Sequence, residues 1–230
     1  MQALILAGGL GTRLRPITHK MPKHMVKIGG KPFLEHLIIM LKKNGINDIV
    51  LCVGYLWGQI RGYFGDGKKF GVNIKYSVEK NLMGTGGAIR LAKKYLKDGF
   101  FVIYGDSYLE LDYRRLMQSH KKINKIGVLA VYNNKSKTFV KNNVEIDKHG
   151  YVAGYNKKNQ GKKMNYVDAG VLAFKKSILK YIPSNKKISL EEDIFPKLIK
   201  MNELHSFKSK NRFYDIGTMR RLKVFRKVLA

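Results

Sequence analysis

The chain has little cysteine and little negative charge. Among its 230 residues there is one cysteine, Cys52, and 16 acidic residues stand against 45 lysines and arginines. A lone cysteine excludes a disulfide scaffold and fits a reducing compartment. Cys52 lies inside an apolar run and reads as a core residue rather than a nucleophile. No apolar stretch is long enough to span a bilayer, and no charged leader or cleavage site precedes the first strand. The expectation is a soluble cytoplasmic protein with no membrane partner. The six histidines show no H-x-x-x-H spacing, so no zinc site is expected. There is no activated serine or cysteine motif, no internal repeat, no linker and no low-complexity segment. The formal charge of +29 permits a nucleic-acid partner. Yet the lysines come in scattered pairs, such as Lys42-Lys43 and Lys121-Lys122, with no basic tail or arginine-rich arm. Solvated faces that attract anionic small molecules are the plainer reading, and no nucleic acid is expected.

What is present is concentrated at the start. The apolar residues over 3–7 read as a buried strand that opens into Gly8-Gly9-Leu10-Gly11-Thr12-Arg13. Glycines let backbone N–H groups approach a ligand, and successive N–H groups in one concavity bind anions. Arg13 adds a planar fork of donors suited to phosphate. A phosphate loop at the carboxyl end of the first strand follows; a glycine-rich structural turn is the bland alternative. The P-loop spacing is missing. The dinucleotide fingerprint also fails, because Leu14 stands where its third glycine belongs and the second strand ends in Gly54-Tyr55 without an acid.

Downstream, apolar period 3.6 predicts helices over 33–44, 57–64, 88–96, 113–120, 190–201 and 219–229. Strands are expected over 48–53, 73–77, 100–104, 125–131, 143–146, 151–155 and 167–174, and 79–87 reads as a loop. Ser189 is the expected cap of the 190–201 helix. Alternation of strand and helix predicts an α/β fold, a mixed but mostly parallel sheet flanked by helices, with ligands outside the carboxyl ends of the strands. Residues 1–230 read as one domain. A homodimer is compatible with the sequence, which carries nothing that requires one.

The run Gly8 to Thr18, with Pro22-Lys23 and Lys31-Pro32, resembles the signature of the sugar-1-phosphate nucleotidylyltransferases. The resemblance implies a Rossmann-like nucleotide-diphospho-sugar transferase fold. The implied reaction joins an NTP and a sugar 1-phosphate into an NDP-sugar, with release of pyrophosphate. Larger members carry a C-terminal β-helix of hexapeptide repeats, of which this chain has no trace. Leu6, Ala7, Gly8, Gly9, Gly11, Thr12, Arg13 and Lys23 would cradle the nucleotide, Arg13 and Lys23 as catalytic cations.

Asp106, in Tyr104-Gly105-Asp106, could be a turn or cap aspartate by its residues alone. The resemblance makes it the first ligand of Mg²⁺, with Asp215 of Asp215-Ile216-Gly217-Thr218 as the second. Met83, Gly84, Thr85 and Gly86 resemble the base-recognition loop, in the Gly-Thr-Gly-Gly-Ala-Ile form of heptose 1-phosphate guanylyltransferases, and this favours GTP over UTP or CTP. The helix after this loop would offer its N-terminus to phosphate. Lys158 would seat the sugar phosphate, and Asp168 and Gly170 would line the sugar pocket. Two positions depart from the pattern. Lys157 replaces an acid that binds sugar hydroxyls in relatives, and His24 replaces the second proline of P-K-P. Both bear on which sugar is used.

Glu79-Lys80 and Glu110-x-Asp112 read as solvated loop acids. A glycosyltransferase using Glu110-Leu111-Asp112 as a loose D-x-D motif is the enzymatic alternative, but it leaves Arg13 and Lys23 idle. A nucleic-acid-binding module is the non-enzymatic one.

Overall fold

The computed structural model describes residues 1–136, 138–156 and 164–228. Seven strands form the central sheet: β1 (Gln2–Ala7), β2 (Asp48–Val53), β3 (Asn73–Val78), β4 (Gly99–Tyr104), β5 (Gly127–Tyr132), β6 (Val167–Lys175) and β7 (Leu204–Ser209). Their spatial order is β7-β5-β6-β4-β1-β2-β3. Every neighbouring pair is parallel except those made by β6, which runs antiparallel to both β4 and β5.

Six helices cover the sheet: α1 (Phe33–Lys43), α2 (Trp57–Phe64), α3 (Gly84–Leu91), α4 (Tyr113–Ile123), α5 (Phe195–Lys200) and α6 (Met219–Val228). Period-2 alternation divides the strand side chains between two cores. Ala3, Ile5, Ile49, Leu51, Phe101 and Ile103 point to one face, beneath α1, α2, α4 and α6. Leu4, Val50, Cys52, Phe100 and Val102 point to the other, beneath α3 and α5. Strands buried on both sides read as continuous apolar runs, which is why the central ones were legible in the sequence.

Two expectations shift. The 79–87 loop is shorter than read, because α3 already begins at Gly84. That residue has φ +72°, and a Cβ on it would lie 2.5 Å from the Ile188 carbonyl oxygen, so the helix can start there only with glycine. The 190–201 helix opens as a π turn over Leu190–Ile194 before α5. Its Ser189 cap holds, with Oγ accepting from Glu192 N at 3.1 Å. β7 went unread. Its two apolar residues, Leu204 and Phe207, are separated by His205 and Ser206, and it lies at the edge of the sheet, with an isolated bridge from His205 to Tyr151 on its outer side.

The sheet fixes the site through three chain ends. β1 ends at Ala7 and releases the glycine loop. β4 ends at Tyr104, and Gly105 N bonds back to Leu6 O at 3.0 Å, which puts Asp106 beside that loop. The chain then forms Ser107–Tyr108, which pairs antiparallel with Tyr214–Asp215 and draws the far end of the sequence to the same place. Phe225 of α6 locks this arrangement, with its ring 5.4 Å from Phe33, 5.1 Å from Tyr108 and 5.6 Å from Tyr214.

Candidate functional site

A cleft of about 740 Å³ opens outside the carboxyl ends of β1 and β4. Of the residues singled out in the sequence, Leu6, Gly8, Gly9, Arg13, Lys23, Gly84, Thr85, Asp106, Asp168 and Asp215 line it. Gly11 and Thr12 line a smaller recess next to it, shared with Arg13, Lys23 and Gly217. Ala7 is buried beneath the loop. Lys158 and its neighbour Lys157 lie outside the described residues.

One end of the cleft is charged. Gly11 adopts φ +65° and turns the chain into the short helix that carries Arg13. Lys23 Nζ donates to Asp106 Oδ2 at 2.7 Å. Burial works to raise the Asp106 carboxyl, but the charge and hydrogen bond of Lys23, helped by His24 and Arg13, pull it down to about 2. Asp215 goes the other way. Burial, together with the charge of Asp106, lifts it to about 6 against the opposing pull of Arg221. The Asp106 charge acting on Asp215 is the electrostatic sign of two carboxylates converging. Arg221 Nε is ion-paired with Asp215 Oδ1 at 2.9 Å, and Gly217 N donates to the same oxygen at 2.8 Å. Asp215 Oδ2 is buried without a hydrogen-bond partner. An orphaned carboxylate oxygen facing a second acid fits a hard divalent cation, which takes oxygen ligands and needs only one or two protein carboxylates.

His24, the departure from P-K-P, is fully buried with neither ring nitrogen hydrogen-bonded. Burial and the adjacent Lys23 drive it down to about 3, so it is a neutral packing group against Gly105.

The other end is hydrogen-bonded rather than ion-paired, and here several expectations change. Gly86 is buried, and the N–H groups of Gly86 and Gly87 donate to Ile188 O at 2.8 and 3.2 Å. Two first-turn amides of α3 are therefore spent on the chain itself, and Gly86 does not face the cleft. Thr85 Oγ1 donates to Glu191 Oε2 at 2.7 Å and accepts from Leu190 N at 2.8 Å, so its hydroxyl is not free to read a base. Met83 contributes through its N–H, which donates to Glu79 Oε2 at 2.9 Å.

Glu79 is the correction that matters most. It is half-buried and lines the cleft, with Oε1 packed against Gly8. Burial raises its carboxyl, partly offset by the Met83 N–H. Its place at the end of β3, with Glu79 N bonded to Val53 O, was the one signal available.

Asp168 Oδ2 accepts from Tyr155 Oη at 2.9 Å, and Asp168 Oδ1 accepts from Gly170 N at 2.8 Å. Gly170 itself does not line the cleft. It sits in the register shift of β6 at φ +77°, pressed on Ser107, where a Cβ would collide at 2.5 Å. Its role is to let Asp168 turn into the pocket. Of the loose D-x-D lookalike, Asp112 caps α4 by accepting from Arg115 N at 2.9 Å, and Glu110 accepts from Tyr108 Oη at 3.1 Å. Both are structural.

A cleft with fixed cations at one end and a hydrogen-bonded set of side chains at the other suits a nucleotide, and transfer of a phosphoryl-linked group needs only such positioning and charge. The chain belongs to the nucleotidyl transferase family, whose pattern matches residues 2–228. It is 33% identical over 218 residues to D-glycero-alpha-D-manno-heptose 1-phosphate guanylyltransferase of Aneurinibacillus thermoaerophilus, covering 94% of this chain and 93% of that protein. A protein of the same name from Campylobacter jejuni is 46% identical over 123 residues, which is 55% of its length. Among solved structures, HddC from Yersinia pseudotuberculosis superposes with a TM-score of 0.85 at 29% identity, covering all of this chain and 99% of that one. The same protein complexed with GMP-PN gives a TM-score of 0.83. Among the described residues, no helix is long and apolar enough to cross a membrane.

Proposed function

We propose that this chain transfers a guanylyl group from GTP to a heptose or hexose 1-phosphate and releases pyrophosphate. The observation that carries the choice of base is Glu79. A carboxylate only accepts hydrogen bonds. Guanine presents two adjacent donors, N1–H and the N2 amino group, on one edge; the uracil, cytosine and adenine edges do not. Glu79 lies where α3 starts, and its second oxygen is held by Met83 N, so it is aimed rather than mobile. The names of the relatives agree with this reading. Two cores sharing one sheet support taking residues 1–230 as one nucleotidyltransferase domain.

In this reading Arg13 and Lys23 hold the triphosphate in line and offset charge on the departing pyrophosphate. The sugar phosphate oxygen that attacks is anionic at neutral pH, so no general base is required. Lys158 would seat the phosphate of the sugar phosphate, and Asp168 would face its sugar. Asp106 and Asp215 are the residues that would hold Mg²⁺. When bound, the ion neutralises charge on the reacting phosphates.

Initial rates of pyrophosphate release with GTP, UTP, CTP, dTTP and ATP test the base, with mannose 1-phosphate and heptose 1-phosphate as acceptors. GTP should give the highest kcat/KM. Glu79→Gln should lower kcat/KM for GTP by about tenfold or more, on the scale of losing one charge-assisted hydrogen bond. Because burial raises the Glu79 carboxyl, KM for GTP should climb on acidification nearer to neutrality than an ordinary glutamate would produce. A kcat/KM for UTP or CTP more than about tenfold above that for GTP, roughly 1.4 kcal/mol, overturns the guanine assignment.

A further inference from the structure

We propose that Arg221 is a second pyrophosphate-binding cation, converging with Arg13 on the space beside Gly217. The inference rests on the nucleotidyl-transfer reading and adds a residue to its anion end.

Arg221 stands in the first turn of α6, and its side chain is only 12% exposed, yet it lines the cleft. Its neighbour Arg220 turns outward and lies over the Phe139 ring at 3.9 Å, so consecutive arginines serve different purposes. A Cβ built on Gly217 would sit 2.8 Å from Arg221 Nη2, 3.2 Å from Arg13 Nη2 and 2.9 Å from Asp215 Oδ1. Two guanidinium groups and one carboxylate oxygen therefore converge on the space beside a single glycine.

That arrangement is poorly explained as scaffolding. Arg221 Nε lies 2.9 Å from Asp215 Oδ1, but its N–H is not aligned for a hydrogen bond and finds no other acceptor. A buried ion pair recovers its desolvation only with good geometry and further hydrogen bonds; here Asp215 Oδ1 gains one from Gly217 N at 2.8 Å, but Arg221 Nε and Asp215 Oδ2 gain none. Two like charges held this close, with Lys23 nearby, repel one another. A polyanion relieves the repulsion and supplies the missing acceptors. The planar fork suits phosphate oxygens on neighbouring phosphorus atoms. Gly217 keeps the space between the forks open.

Isothermal titration of inorganic pyrophosphate into metal-free protein in EDTA tests the proposal without any turnover. Wild type should bind. Arg221→Ala should weaken binding by about tenfold or more, the scale of charge-assisted hydrogen bonds to a phosphate. Arg221→Lys should recover only part, and Arg220→Ala should bind like wild type. Gly217→Ala, whose Cβ would push on Arg221, Asp215 and Arg13 together, should also weaken pyrophosphate. Thermal melts establish that each variant is folded; should Arg221→Ala fail to fold, Arg221→Lys decides. Unchanged affinity in the folded Arg221 variants, or wild type that binds no pyrophosphate, overturns the proposal and leaves Arg221 a mere partner of Asp215. Pyrophosphate binding that depends on Arg221 in a protein that makes no NDP-sugar would sink the transferase reading alone.

Discussion

The two ends of the cleft are built on different principles. The phosphate end works through fixed charge: Arg13, Lys23–Asp106 and Asp215–Arg221. The base and sugar end works through a chain of hydrogen bonds, Glu79–Met83, Thr85–Glu191 and Tyr155–Asp168. Charge acts at a distance and tolerates variation in what it grips, so the first end suits the part common to every nucleoside triphosphate. Hydrogen bonds discriminate by geometry, and a donor or acceptor left unpaired in a buried site is costly. In the proposed function the second end is therefore where one base and one sugar would be chosen.

The contrast can be broken most violently at the carboxylates. Asp106→Asn and Asp215→Asn should each nearly abolish turnover, measured as pyrophosphate release, while both proteins remain folded. Activity surviving in Asp215→Asn with Mg²⁺ would mean that the charged end does not depend on two converging acids. Next in size is Arg13→Ala, which should lower kcat/KM by about 10²-fold or more, as for loss of a strong charge-stabilising donor. Arg13→Lys should restore little, because the fork is gone.

At the neutral end the expected effects are smaller. Thr85→Val removes the bonds to Glu191 and Leu190 and should cost about 1–3 kcal/mol in urea unfolding. It should change KM for nucleotide more than kcat, whereas the carboxylate variants change kcat.

The smallest effect is a slope against pH. Asp215, at about 6 when folded, keeps its proton to higher pH than the unfolded chain, whose carboxyl titrates near 3.8. Metal-free protein should therefore lose stability as pH rises from about 4 to 6, and Asp215→Asn should flatten that loss. Asp106, at about 2, acts in the opposite sense and lower down: stability rises with pH between about 2 and 4. Urea midpoints across this range read both windows.

The same division explains what could be read from the chain before its fold was known. Arg13, Lys23, Asp106 and Asp215 sit in short motifs whose spacing is set by a local turn, so the sequence carries them openly. Glu79, Glu191 and Arg221 have no such motif. Glu191 acquires meaning only because the 188–191 segment is laid on the first turn of α3, and Arg221 only because the Ser107–Tyr108 and Tyr214–Asp215 pair draws α6 to the cleft. Gly86 and Gly170 show the converse error. Both look like ligand-facing glycines in a motif, yet one donates to Ile188 and the other clears Ser107. The central strands were clear from their apolar runs, whereas β7 was hidden by its alternating polar residues.

The position of β1 has a consequence for how the molecule comes into being. It is an interior strand of the sheet, paired with β2 on one side and β4 on the other. Its second neighbour appears only after residue 99, and the cleft it feeds is completed by Asp215. Such non-local pairing delays folding and leaves apolar edges waiting in the nascent chain. The glycine loop is thus translated well before Asp106 and Asp215, and becomes part of a formed cleft only when those distant segments have folded beside it. In the proposed function, nucleotide affinity should therefore report whether stretches of chain as far apart as Gly8 and Asp215 have folded together uncut.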